Sequence, residues 1–218
     1  MPREEQQIIR QILHAVEADE AVSQRALAGN LGISLGSVNW HLKRCVNKGL
    51  IKLQQVPLRR YLYYLTPEGF DEKVRLTSDF MRYSMQLFRD GRKDCNAFFS
   101  RCEATGLKVV ALAGDGEFAE IAVLSGLESP ISLSCVIDAK SERATCAGIP
   151  VVGSVEQGMN RGENNPVDAI LLTDLRDPQA AYTSARRQLE DLGLSPDIVH
   201  VPKMFALSRK VENELGPQ

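Results

Sequence analysis

The sequence predicts a two-domain α/β protein, a small helical module with a β-hairpin followed by a doubly wound parallel sheet, and three observations carry that prediction. Residues 22–65 hold two short helical patterns around a tight turn, then two short runs rich in β-branched and aromatic residues. The same stretch carries the basic residues Arg25, Lys43, Arg44, Lys48, Lys52, Arg59 and Arg60 and contains no Asp or Glu. From Leu107 onward, apolar runs rich in Val, Ile and Leu alternate with helical patterns, the mark of strands covered on both faces. The expected division is residues 1–66 for the first domain, 67–105 for a helical linker and dimerisation segment, and 106–218 for the sheet.

Taken in order, Ile8, Ile9, Ile12, Leu13 and Val16 recur at helical spacing and make a first helix. Ala26, Leu27 and Leu31 give a second helix its apolar face, and Gly32-Ile33 makes the turn. Ser34 then caps a third helix that turns Val38, Leu42 and Cys45/Val46 inward. Gly49 ends that helix with Lys48 in its last turn. The runs Leu50 to Val56 and Tyr61 to Leu65, joined by Pro57-Leu58-Arg59-Arg60, read as a β-hairpin. Together these make a helix-turn-helix with a wing, a unit that lays its second helix in the major groove of double-stranded DNA.

Charge agrees with that reading. In a chain of net charge -2, an acid-free basic stretch sets up a local field that attracts phosphate. Ser34 and Ser37, at the start of the recognition helix, are positioned to bond phosphates or bases. Asn39, Trp40 and Lys43 lie opposite Val38 and Leu42 and are the base-reading candidates, since Asn suits adenine and Lys suits guanine. For Trp40, packing against the wing or the first helix stays open. Arg44 and Lys48 are assigned to the DNA backbone, and Arg59 and Arg60 at the wing tip to the flanking minor groove.

Thr66-Pro67 opens another helix, expected to run to about Arg89. It carries Phe70, Val74, Phe80, Met81, Leu87 and Phe88, apolar surface that calls for a partner, either a second copy of the chain or its own C-terminal domain. Gly91 is read as a break before a second helix from Asp94 to Ala104. A strand from Lys108 to Gly114 follows, then a helix through Phe118 and Leu124 and a strand from Leu133 to Ile137. Next are a short strand Pro150 to Val152, a helix near Val155, a strand Ala169 to Leu172, a helix Gln179 to Leu192 and a strand Ile198 to Val201. That alternation implies a parallel sheet of about five strands.

Gly114-Asp115-Gly116-Glu117-Phe118-Ala119 fits G-x-G-x-x-A between a strand and a helix, the context in which glycines let a pyrophosphate approach the backbone. Asp138 ends the second strand, where a carboxylate binds a ribose hydroxyl. A nucleotide, NAD or nucleotide-sugar ligand is therefore expected at the carboxyl ends of the strands, near Gly114, Gly116, Asp138, Ser154 and Asp174. Asp115 and Glu117 place two carboxylates beside the helix start, which suits the helix dipole and repels phosphate. A loop whose glycines serve only the turn stays open as the alternative.

Other classes are disfavoured. No apolar run approaches the roughly 20 residues that span a bilayer, and the start MPREEQQIIRQ is acidic, so no membrane association and a cytoplasmic location are expected. Five cysteines without C-x-x-C spacing indicate reduced, buried thiols rather than a disulfide framework or zinc site, with Cys95 and Cys102 on one helix face. Of His14, His41 and His200, none lies beside a nucleophile or at metal-ligand spacing, so no catalytic residue, no metal and no enzyme activity are expected.

The segments QRALAGNLGISLGSVNWHLKRCVNKGLIKL and YLYYLTPEGFDEKVRLTSDFM resemble the MarR-type winged-helix regulators associated with exopolysaccharide gene clusters, over roughly residues 20 to 85. The resemblance rests on SLGSVNW and YYLTPEG, and it implies a dimeric, sequence-specific transcriptional regulator linked to polysaccharide genes. The segments VVALAGDGEFAEIAVLSG, CVIDAK, AGIPVVGS and VDAILLTD resemble the small Rossmann-like domains of sugar acyltransferases and of Rex repressors. Rex repressors share the order of domains, but this chain lacks their recognition-helix sequence and their G-x-G-x-x-G. The expected function is a DNA-binding regulator whose Rossmann-like domain senses a nucleotide or nucleotide-sugar effector. A protein-interaction scaffold and a small nucleotide-dependent enzyme are the alternatives.

Overall fold

The computed structural model describes residues 2–56, 60–161 and 166–205, with only the backbone of Arg60. The chain divides into two units, Met1–Met85 and Gln86–Gln218.

The first unit begins with α1 (Arg3–Ala18), α2 (Gln24–Leu31) and α3 (Leu35–Asn47). Each carries its apolar residues on one stripe: Ile9, Ile12, Leu13 and Val16 from α1, Leu27 from α2, and Val38, Leu42 and Cys45 from α3 form one buried cluster. Full burial of each aliphatic side chain contributes roughly 1.5–3 kcal/mol, so this cluster holds the three helices together. Ser23 and Ser34 cap α2 and α3, accepting hydrogen bonds from the backbone N–H of Ala26 at 3.0 Å and Ser37 at 3.2 Å. A left-handed Gly32 ends α2. The strands β1 (Ile51–Val56) and β2 (Arg60–Leu65) pair antiparallel in register from Ile51 opposite Leu65 to Val56 opposite Arg60. Ile51 and Tyr63 join the same core, which fixes the hairpin against the helices. The Thr66 hydroxyl then accepts from the Gly69 N–H at 3.0 Å and donates to the Gly49 carbonyl at 2.6 Å, starting the next helix and anchoring the exit of α3.

That helix, α4 (Pro67–Thr105), is unbroken, where the sequence suggested two helices parted at Gly91. Gly91 sits inside it because a side chain does not fit: a Cβ there would stand 2.9 Å from the Phe118 ring. Glycine marks a close approach here, and the cost of about 1 kcal/mol in helix propensity is too small to stop a 39-residue helix.

The second unit adds β3 (Val109–Ala113), α5 (Glu117–Gly126), β4 (Ser132–Ile137), β5 (Thr145–Cys146), β6 (Ile149–Val152), α6 (Val155–Met159), β7 (Ala169–Leu172), α7 (Pro178–Asp191) and β8 (Val199–His200). The sheet order is β5-β6-β4-β3-β7-β8. Every neighbouring pair is parallel except β5 with β6, so the sheet is mixed and six-stranded rather than wholly parallel with about five. Residues alternate across it. Val110 and Leu112 face Cys95, Phe98 and Phe99 of α4 and Phe118 of α5, while Val109, Ala111 and Ala113 face Val155 of α6 and Ala185 and Leu189 of α7. Helices therefore cover both faces, and the carboxyl ends of β3, β4 and β7 come together at one edge of the sandwich. The five cysteines are all buried and free. Among the described residues, no helix is long and apolar enough to cross a membrane.

Candidate nucleic-acid interface and a cleft at the strand ends

The recognition helix α3 buries Val38, Leu42 and Cys45 and turns Trp40 and Lys43 to solvent, with Asn39 half-buried beside them. Trp40 is 54% exposed, unusual for the chain's single tryptophan, and it does not join the core cluster of its unit. Its ring stands edge-on to that of His41, centroids 4.7 Å apart. The Arg44 guanidinium lies over the same indole, 5.2 Å from its centroid. Ser34 spends its side chain on the cap, and Ser37 donates the backbone N–H to it.

Arg44 was expected on the DNA backbone. In the structure it forms an ion pair with Glu5 of α1. Residues 22–65 are free of acid, but the fold brings one in from outside the stretch, which the sequence pattern does not reveal. His41 is a second residue the pattern did not single out: it is 5% exposed, and its Nδ1 has no hydrogen-bond partner among the described residues. Burial pushes the His41 pKa below the ordinary histidine value, against the pull of Glu5. Arg59 lies outside the described residues, and so does the Arg60 side chain; the wing-tip assignment rests on sequence.

At the other end of the chain, a cavity of about 250 Å³ opens at the carboxyl ends of the strands, lined by Gly114, Asp138, Lys140, Gly153, Asp174, Arg176 and the Ala180, Ala181, Ser184 and Gln188 face of α7. Three of the five residues expected there, Gly114, Asp138 and Asp174, line it. Gly116 and Ser154 do not: Gly116 is the N-cap of α5, and the Ser154 hydroxyl caps α6, accepting from the Gln157 N–H at 3.2 Å. Gly114 has a φ of 110°, and a Cβ would lie 2.4 Å from the Asp174 nitrogen, so only glycine lets the β7 end close on the β3 end. The Thr173 hydroxyl seals that contact by donating to the Gly114 carbonyl at 2.6 Å.

The carboxylates of this region are already engaged within the chain. Asp138 accepts from the backbone N–H of Asp115 and of Lys140, each at 2.9 Å, and pairs with Arg176, which also pairs with Asp174. Burial draws the Asp174 carboxyl upward, but hydrogen bonds from Arg176 outweigh it and leave the group below its ordinary range. Asp115 does not stand as a bare charge at the start of α5. Its carboxylate accepts from Arg143 Nε at 2.7 Å and from the Ser141 hydroxyl at 2.6 Å, and the Arg143 bonds hold its pKa down at about 2. Arg143 and Ser141, on the loop after β4, went unnoticed in the sequence because nothing local connects them to a loop 28 positions earlier.

Among the described residues no cluster of His, Cys, Asp and Glu is arranged to hold a metal ion. No curated protein matches the chain. Among solved structures, MepR, a transcription regulator of the Staphylococcus aureus multidrug efflux pump MepA, is 21% identical over 38% of this chain and 61% of that one, with a TM-score of 0.33. A mutant of S. aureus MepR is 22% identical over 40% and 64%, with a TM-score of 0.34. The chain thus spans about three fifths of the length of these regulators. An O-methyltransferase, NcsB1 from neocarzinostatin biosynthesis, in complex with S-adenosyl-L-homocysteine, is 15% identical over 91% of this chain and 82% of that one, with a TM-score of 0.30. The expectation that the chain is not an enzyme is corrected by that match to an enzyme across most of its length, and a non-catalytic character is no longer assigned. Likeness at these scores carries no assignment of activity or ligand. Residues 5–52 match the family described as winged helix-turn-helix DNA-binding, and the order of helices and hairpin around them makes this unit a winged helix-turn-helix.

Proposed function

We propose that the chain is a DNA-binding transcriptional regulator that works as a homodimer and inserts α3 into the major groove. The observation that carries this reading is the solvent face of α3, where Asn39, Trp40 and Lys43 stand together on a helix whose entry is capped and whose neighbourhood in sequence holds only basic charge. Asn39 and Lys43 read base edges, Ser37 and the helix entry meet phosphate, and Arg59 and Arg60 of the wing reach the flanking minor groove. Dimerisation is supported by the first half of α4, which leaves Phe70, Val74, Met81 and Met85 exposed at helical spacing. The resemblance of the winged helix to exopolysaccharide-associated regulators makes polysaccharide genes the preferred targets.

The C-terminal unit is proposed to be Rossmann-like and to receive a small effector, a nucleotide or nucleotide-sugar, in the cavity that Gly114, Asp138, Asp174 and Arg176 line. Arg176, paired with both Asp138 and Asp174, is the cation that an anionic ligand would meet there, and it joins the β4 and β7 ends.

Gel-shift on a randomised duplex library tests the reading. The wild type selects a subset of sequences, and Asn39→Ala flattens that selection, because a bidentate base contact contributes about 1–3 kcal/mol of discrimination. Equal selection by the two proteins removes Asn39 from the interface, and salt-independent or absent binding by the wild type removes the DNA-binding function itself.

A further inference from the structure

We infer that Glu5 is a positioning residue for the recognition helix, holding Arg44 against Trp40 and away from the DNA backbone; the inference rests on the DNA-binding reading above. Glu5 stands in the first turn of α1 and reaches across to Arg44 on α3. Its side chain is 15% exposed and that of Arg44 34%, so the pair is sheltered and salt screens it less than it screens free surface charges. Arg44 follows Trp40 by one helical turn, and with one end of its guanidinium fixed by Glu5 the rest of the fork lies over the indole. His41, which is buried, meets the same ring edge-on with centroids 4.7 Å apart. Trp40 is thereby clamped although it is more than half exposed. An indole free to rotate on that face would lose side-chain entropy on binding; one already held by Arg44 and His41 loses less.

The arrangement also divides the basic residues of α3 and its exit by role. Lys43 and Lys48 are exposed and form no ion pair among the described residues, so their charge is free to meet DNA, Lys43 at base edges and Lys48 at phosphate. Arg44 is neutralised within the chain and adds nothing to the counterion release that makes DNA binding depend on salt. Releasing it creates a new phosphate contact. Each neutralised phosphate steepens the slope of log affinity against log salt by about 0.9, so that a fourfold rise in salt costs about 3.5 times more affinity per added contact.

The test is the salt dependence of binding to a labelled random-sequence duplex by the full chain, for wild type, Glu5→Gln, Arg44→Gln and the double variant. Glu5→Gln is expected to steepen the slope by about 0.9 per bound chain, whereas Arg44→Gln keeps the wild-type slope and the double variant follows Arg44→Gln. A merely structural pair alters the melting temperature of both single variants and leaves every slope alone. An unchanged slope for Glu5→Gln overturns the inference. So does a shallower slope for Arg44→Gln, which would place Arg44 on a phosphate already, and that outcome is readable even where Glu5→Gln does not fold. Failure of the wild type to bind duplex at any salt defeats the DNA-binding reading, whereas normal wild-type binding with either of the two overturning slopes defeats only the role of Glu5.

Discussion

Replacing Gly91 by alanine sets two effects of similar size against each other. In a solvated helix interior the change gains about 1 kcal/mol from propensity and lost unfolded-state freedom. At Gly91 the new methyl would stand 2.9 Å from Cε2 and 3.4 Å from Cδ2 of Phe118. That ring is 2% exposed and packs against Phe205 with centroids 5.0 Å apart, so it cannot retreat freely. Overpacking of this kind costs about 1–3 kcal/mol, and the packing cost wins by up to about 2 kcal/mol. Gly29 supplies the contrast. It lies exposed in α2, and a Cβ added there would meet nothing within 4 Å, so Gly29→Ala is expected to stabilise by about 1 kcal/mol. Urea denaturation followed by far-ultraviolet circular dichroism measures both. In a Phe118→Ala background the space opens and Gly91→Ala turns stabilising, a reversal of sign that propensity alone does not produce. If Gly91→Ala stabilises the otherwise wild-type chain as Gly29→Ala does, the close approach of α4 and α5 is not what places glycine there.

Three further outcomes are expected. Asp115→Asn removes a carboxylate held at a pKa of about 2, below its unfolded value of about 3.9; the stability it supplies is present above about pH 4 and is lost as pH falls toward 2. The exposure of Arg143 screens that pair, so the effect is modest: the acid limb of a stability-against-pH curve is expected to be shallower in the variant than in the wild type. His41, whose pKa is lowered by burial, binds its proton more readily in the unfolded chain, so the wild type loses stability as pH drops below about 6.5; His41→Phe reduces that loss in melting curves taken between about pH 7 and 5. Arg176→Ala strips the shared cation from the buried Asp138 and from Asp174, and a loss of about 1–2 kcal/mol in urea denaturation at neutral pH is expected, small because the guanidinium is half-exposed.

What the sequence made legible was local. Ser34, Val38, Leu42 and Cys45 announce a capped helix through spacing alone, and the unbroken run Val109–Ala113 announces a strand buried on both sides. The fold-dependent features were hidden for a common reason. Gly91 has the composition of a break and the context of a packing contact, and only the position of Phe118 distinguishes the two. The strand β5 is two residues long and is held by a turn in which Ala147 and Gly148 both have positive φ, too little sequence to carry a period. The pairs Glu5–Arg44 and Asp115–Arg143 join residues 39 and 28 positions apart, so a charge count along the chain saw seven free cations near the wing and two bare acids at the glycine loop. The fold cancels one charge in each group. Asp138 was placed correctly at the end of β4 and lines the cavity, but the backbone and Arg176 bonds it already makes were not readable from its position in sequence.

The most direct measurement uses Trp40 itself, the chain's one tryptophan, which stands on the proposed DNA-reading face. Free in solution, an indole that is 54% exposed is open to quenching by acrylamide. Docking of α3 in the major groove covers it, so added duplex is expected to lower the quenching constant, and raising the salt concentration is expected to restore it as the complex dissociates. Acrylamide quenching that stays the same across a full duplex titration at low salt would contradict the assignment of α3 as the recognition helix.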